Sequence, residues 1–224
     1  MTVPFKTAVV TGISSGIGQA LTQKLLVEGY QVIGTTRSGT VPGLAHPRLH
    51  VIALEATDEA SIAQAVARIA TLTKGVDLLV NNAGAAPDVF AITPERTAFT
   101  QTLATNITGP VFFTEPLLPQ LNEGAQVVFI SSNMGLPRNA APNGPGYRLS
   151  KAAINMYAAM LATRLAERRI QVMPMHPGWV QTKLGGDQAP LTPAQAAEGI
   201  YQGLVTNPGS GLFWNAAAGA AEAF

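Results

Sequence analysis

Thr7-Ala-Val-Val-Thr-Gly-Ile-Ser-Ser-Gly-Ile-Gly18 is the stretch that decides how this chain folds. Its first five residues are β-branched or small and apolar, the composition of a short buried strand. Glycines follow at positions 12, 16 and 18, and apolar residues then recur at helical spacing through Leu26. A strand, a tight turn and a helix in that order let the backbone approach a pyrophosphate at the helix N-terminus. The spacing is Gly-xxx-Gly-x-Gly and not G-x-G-x-x-G, yet the turn and the close approach make the same demands. Gly12, Ser14, Ser15, Gly16, Ile17 and Gly18 are therefore the candidate phosphate-binding residues.

Similar alternation recurs outward from this stretch. Strand patterns fall near Gln31–Thr35, His50–Leu54, Asp77–Asn81, Gln126–Ser131 and Gln171–Met175, with helical patterns between them. Several βαβ units in series predict an α/β fold, a doubly wound Rossmann-type parallel sheet with helices on both faces. At 224 residues, with no shift of composition and no internal repeat, one domain over residues 1–224 is expected. Two Pro/Gly-rich stretches, Gly135–Gly146 and Gly185–Pro193, follow strands at the carboxyl edge of the sheet, where open α/β sheets bind ligands. The tail Ala216–Ala223 reads as a low-complexity tract.

Composition narrows the partners. Fourteen basic against thirteen acidic side chains give a net charge of +1, with no field to attract nucleic acid or an anionic membrane surface. The absence of cysteine excludes disulfides, thiolate nucleophiles and cysteine metal sites. Met1–Gly12 is too short an apolar run for a signal peptide and reads as the first strand, so a cytoplasmic protein is expected. His46, His50 and His176 lack metal-ligand spacing, and His176 reads as a satisfied strand-end residue; no metal is assigned.

The residue after the second strand selects the nucleotide. An acid there would bond a ribose 2′-hydroxyl, whereas this chain places Arg37, whose fork of donors suits a 2′-phosphate. NADP(H) is expected as cofactor in preference to NAD(H).

Tyr147-Arg-Leu-Ser-Lys151 opens an apolar helical segment, so the phenol and the ammonium share a helix face. A fixed cation beside a phenol favours the phenolate, bringing Tyr147 closer to the pH of proton transfer. Ser131 and Ser132 end the apolar strand Val127–Ile130 at the same sheet edge and offer a hydroxyl.

At these positions the sequence resembles the short-chain dehydrogenase/reductase family, from about Lys6 to Thr182. Thr11–Gly18 looks like the TGxxxGxG cofactor turn, Asn81-Asn-Ala-Gly84 like the NNAG element, and Asn106 like the asparagine of the long central helix. Ser132 is similar to the serine preceding Tyr-xxx-Lys, with Ser131 the bystander. Pro177-Gly178, with Val180 and Thr182, resembles the stretch beside the nicotinamide, and Asn82, Ala83 and Gly84 join the cofactor contacts. The resemblance implies that Tyr147 gives a proton to a carbonyl oxygen held by Ser132. It implies that Lys151 lowers the tyrosine pKa and bonds the nicotinamide ribose, so both helix residues touch the cofactor. Asn106 would hold a water that relays protons. Glu55 stands where the family commonly has an aspartate contacting adenine.

Ser132 and Tyr147 stand 15 positions apart, slightly more than the family's usual spacing, so the intervening loop carries a small insertion. Its Pro137, Arg138, Asn139, Pro142, Asn143 and Pro145 are expected to shape the substrate pocket. Only Lys183–Leu191 remains for a lid, which predicts a shallow or open pocket. Trp179, Met134 and Leu184 are candidates for its apolar walls, although a Trp or Met near a strand end more often belongs to the core. The short C-terminal third resembles the carbonyl-reductase-like branch and implies a small-molecule aldehyde or ketone substrate. Core packing and a homodimer face account equally for Ala153, Met156 and Met160, leaving dimer and monomer undecided. Two alternative classes stand beside a reductase: a catalytically silent cofactor-binding regulatory protein, and an epimerase or lyase that consumes no NADPH.

Overall fold

A computed structural model describes residues 5–224, and Met1–Pro4 of the expected first strand lie outside the described residues. Eight strands form one sheet in the order β3-β2-β1-β4-β5-β6-β7-β8. They are β1 (Thr7–Thr11), β2 (Gln31–Thr36), β3 (Leu49–Ala53), β4 (Val76–Asn81), β5 (Leu121–Ile130), β6 (Gln171–His176), β7 (Phe213–Asn215) and β8 (Ala220–Glu222). All pairings are parallel except β7 with β8. The strand order reverses between β1 and β4, so the crevice beyond the carboxyl ends of these strands is the expected ligand site.

Alternate residues of the strands feed two cores. Val9, Leu79, Val127 and Phe129 face α2 (Glu59–Leu72), α4 (Gly109–Thr114) and α5 (Pro145–Arg164). Val10, Leu78, Val80 and Met173 face α1 (Gly16–Val27) and α6 (Pro193–Thr206). Burial on both faces explains why the strands read as continuous apolar runs and not as alternating ones.

The six sequence-predicted strands are present within a residue or so at most ends, with one larger difference. β5 begins at Leu121, pairs there with Val76, and shifts register before Gln126 pairs with Leu78. The irregularity covers Asn122–Ala125, whose polar and glycine residues concealed the strand start. β7 and β8 were not expected. Each has three residues, and β8 lies in the Ala-rich tail, where pairing with β7 and not local propensity makes the strand.

The helical stretch carrying Asn106 is not one regular helix. α3 (Arg96–Leu103) passes through a π-helical turn, Ala104–Thr108, into α4, and the Gly109 N–H reaches back to the Ala104 carbonyl. Such single wide turns inside helices occur often at functional sites. The bland reading of the α5 methionines as core also fails, since Met156 and Met160 are 63% and 58% exposed.

Candidate active site

The glycine turn is locked by contacts that leave no room for side chains. Gly12 has φ +72, and a Cβ on Gly18 would stand 2.3 Å from the Gly12 carbonyl oxygen. Asn82, just after β4, fixes the turn: its Nδ2 donates to the Thr11 and Gly12 carbonyls at 2.8 and 3.2 Å, and its N–H donates to Thr11 Oγ1 at 2.9 Å. Ala83 N–H donates to the same hydroxyl. The NNAG element is therefore first a brace for the turn.

Helix α1 has no side-chain cap at Ser15 and no acidic residue in its first turn. Its first N–H groups and positive end are thus left for an anion. They border a groove of about 640 Å³ that is also lined by Arg37, Glu55, Ala83 and Gly84. These groups fit a dinucleotide: uncapped donors for a pyrophosphate at one point, and an exposed arginine at the rim where β2 ends. Glu55 also borders the groove, with its carboxylate engaged locally by Thr57 N–H and Oγ1 at 3.2 and 2.8 Å. Lys183 lines the groove too, a second cation that sequence reasoning did not single out.

The groove opens into a second cavity of about 440 Å³. Ile17, Asn82, Gly84, Ala85, Thr182 and Leu184 border both spaces, so they form one cleft. Tyr147, Lys151 and Ser132 line the cavity, together with Pro177, Gly178 and Val180. Tyr147 and Lys151 are one turn apart on α5 and 8% and 7% exposed, and the ammonium lies 5.4 Å from the phenol ring centre. Lys151 Nζ donates to the Ile130 carbonyl at 2.8 Å. Burial pushes its pKa down to about 8.

Electrostatics depart from expectation here. Lys151 was expected to draw the tyrosine pKa down, but burial raises the phenol, opposed only by the neighbouring Ser132 hydroxyl. The phenol is held protonated. Ser132 Oγ also accepts from Met134 N–H at 3.1 Å, which orients it, while Ser131 Oγ is spent on buried Asn155 Oδ1 at 2.6 Å.

Asn106 is 2% exposed and holds the backbone of Ala85 at both ends, accepting from its N–H and donating to its carbonyl, each at 2.8 Å. It also donates to Ser150 Oγ at 3.0 Å, and that hydroxyl donates to the Tyr147 carbonyl at 2.7 Å. The asparagine thus connects the loop after β4 with the first turns of α5.

Trp179 is not core: it is 57% exposed, lines the cavity, and is fixed by an Nε1–H bond to the Gly185 carbonyl at 2.7 Å. Leu184 and Met134 line it as well, joined by Val89 and Phe90, which sequence reasoning missed. Their only signal was a position just beyond the NNAG element. Of the six insertion residues expected at the pocket, Asn143 alone reaches it. Arg138 turns away to pair with Glu222 at 2.7 Å, because β8 brings that carboxylate within reach. Arg148, also missed, ties the insertion together by donating to the Asn143 and Asn139 carbonyls at 2.7 and 2.8 Å. His176 borders the cavity, but its buried Nδ1 has no partner among the described residues, contrary to the satisfied histidine expected. Burial pushes its pKa to about 4, so the ring is neutral.

A glycine-turned parallel sheet whose nucleotide groove runs into a Tyr-Lys-Ser cavity defines a dinucleotide-dependent oxidoreductase. Residues 6–190 match the family model described as short chain dehydrogenase. The chain belongs to that family. It is 36% identical to the C-signal of Myxococcus xanthus over 134 residues, 58% of this chain and 81% of that protein. A short-chain dehydrogenase/reductase from Burkholderia multivorans with bound NADP is similar at TM-score 0.89 and 27% identity, covering 99% of this chain and 100% of that one. The NADPH-bound carbonyl reductase from chicken fatty liver is similar at TM-score 0.87 and 28% identity, with the same coverage. Among the described residues, no helix is long and apolar enough to cross a membrane, and no cluster of His, Cys, Asp or Glu could hold a metal ion.

Proposed function

We propose that this protein is an NADP(H)-dependent reductase of small aldehydes or ketones, acting in the cytoplasm. The observation that carries the reading is the protonated, buried phenol of Tyr147 lining an apolar-walled cavity continuous with the nucleotide groove. A bound nicotinamide supplies the hydride. Tyr147 donates a proton to the carbonyl oxygen, and Ser132 hydrogen-bonds that oxygen and holds the substrate. Lys151 is the buried cation beside Tyr147 that would bond the nicotinamide ribose and offset developing charge on the phenol. Asn106 fixes the loop after β4 against α5, where it would hold a water that relays protons. Gly12 to Gly18 and Asn82 to Gly84 line the groove and would hold the pyrophosphate, Arg37 would pair with the 2′-phosphate, and Glu55 would border the adenine. Pro177, Gly178, Val180 and Thr182, which line the cavity, would hold the nicotinamide ring.

NADP in one similar structure and NADPH in another support the cofactor reading. A second reading is a catalytically silent cofactor-binding regulatory protein, and the name of one relative, the C-signal, is what speaks for a regulatory role. A panel of aldehydes and ketones with NADPH or NADH, followed by the absorbance of the reduced nicotinamide, separates the two. NADPH oxidation that falls by about 10²- to 10⁴-fold in Tyr147→Phe is expected. No turnover with any carbonyl, or unchanged turnover in that variant, would overturn the reductase.

A further inference from the structure

Helix α5 begins without a cap of its own. Gly144 at the N-cap is left-handed, with φ 68, and offers no side chain, while Pro145 at the first helical position carries no N–H. The Gly146 N–H is therefore the first donor of the helix. It is buried, and an unpaired donor there would be costly. Its acceptor is Oδ2 of Asp88, from the loop after β4. Asp88 is 1% exposed, and its other oxygen lies 3.2 Å from Thr102 Oγ1. Among the described residues no cation pairs with it, so the positive end of α5 is what its charge meets.

Two further bonds run alongside, from Gly144 N–H to the Ala91 carbonyl at 2.8 Å and from Asn143 Nδ2 to the Val89 carbonyl at 2.9 Å. The loop that presents Val89 and Phe90 to the cavity is thus strapped to the residues immediately before Tyr147. Gly146 admits this strap by having no side chain. A Cβ there would sit 2.7 Å from Asp88 Oδ2 and 3.2 Å from the Phe99 ring.

We infer that Asp88 is a positioning residue: through the Gly146 N–H it holds the first turn of α5, and with it the Tyr147 phenol, in register with the Val89–Phe90 wall. Its kinetic consequence rests on the reductase reading, whereas its effect on the helix start does not. The test uses Asp88→Ala and Asp88→Asn in the full chain, with turnover expressed per NADPH-binding site counted by fluorescence titration. Asp88→Ala is expected to lower kcat by about tenfold to a hundredfold with NADPH affinity unchanged. Asp88→Asn, which keeps an oxygen for the N–H but no charge, recovers part of that loss. Hydrogen–deuterium exchange of residues 146–149 should quicken by about tenfold in Asp88→Ala while the β1 and β5 amides stay protected. Parental kcat per site together with parental exchange at the helix start would overturn the inference. So would a loss of turnover matched by an equal loss of NADPH sites, which marks a merely structural residue. If the parent reduces no carbonyl, the reductase reading falls and the exchange result alone decides for or against Asp88. If Asp88→Ala does not fold, Asp88→Asn and Gly146→Ala carry the same readouts.

Discussion

The two parts of the cleft are built in different ways. The nucleotide groove is shaped mainly by backbone: a glycine turn too tight for a Cβ, the uncapped start of α1, and an asparagine that bonds two carbonyls of the turn. The adjoining cavity is shaped by side chains from separate loops, with Val89 and Phe90 after β4, Met134 after β5, and Trp179 and Leu184 after β6. One ligand is common to a family and the other is not. A backbone cradle depends on a few residues at set spacing, whereas a wall of side chains is altered by changing any one of them.

This contrast can be broken. Gly18→Ala pushes a methyl group against the Gly12 carbonyl and Asn82 and should cost about 1–3 kcal/mol in overpacking. With the turn displaced, NADPH affinity should fall by about a hundredfold, read by fluorescence titration. Unchanged affinity would show that the backbone does not form the cradle. Arg37→Ala should weaken NADPH by about tenfold to a hundredfold and leave NADH nearly unchanged. Equal losses for both nucleotides would remove the 2′-phosphate from the argument.

The junction of the two regions titrates. Burial pushes Lys151 down to about 8, so its charge is present below that pH and lost above it. The raised Tyr147 keeps its proton over the same range. The kcat/KM for NADPH should therefore fall above pH 8, by about tenfold per unit, and Lys151→Met should lack this limb. Stability runs the other way. Between about 8 and the ordinary lysine value of 10.5, the unfolded chain holds a proton that folded Lys151 has released. Through this group the protein gains stability as pH rises across that window, a gain that thermal melts of Lys151→Met should not show. The smallest effect is expected in the side-chain wall: Trp179→Ala should raise KM for apolar aldehydes by about fivefold and leave NADPH affinity alone.

How much of this was legible beforehand follows the same division. The six main strands, the glycine turn, the Tyr147–Lys151 pair and Ser132 were readable because each is a local pattern, a periodicity or a fixed spacing. The short strands Phe213–Asn215 and Ala220–Glu222 were not, since their only reason for being extended is the partner across the sheet. Arg138 was misjudged for the same reason, its carboxylate partner arriving on β8. Trp179 defeated a rule about burial. Large side chains near strand ends usually pack inward, but this one is held at the cavity by a bond to Gly185.

From the chain alone came the order of strand, turn and helix, and the identity of most groups that line the groove. These rest on contacts among neighbours, which spacing encodes. The protonation of Tyr147, the acceptor that Asp88 provides for α5 and the make-up of the cavity wall were decided only by the folded structure. Burial and long-range hydrogen bonds join residues far apart along the chain, and no local pattern records which of them will meet.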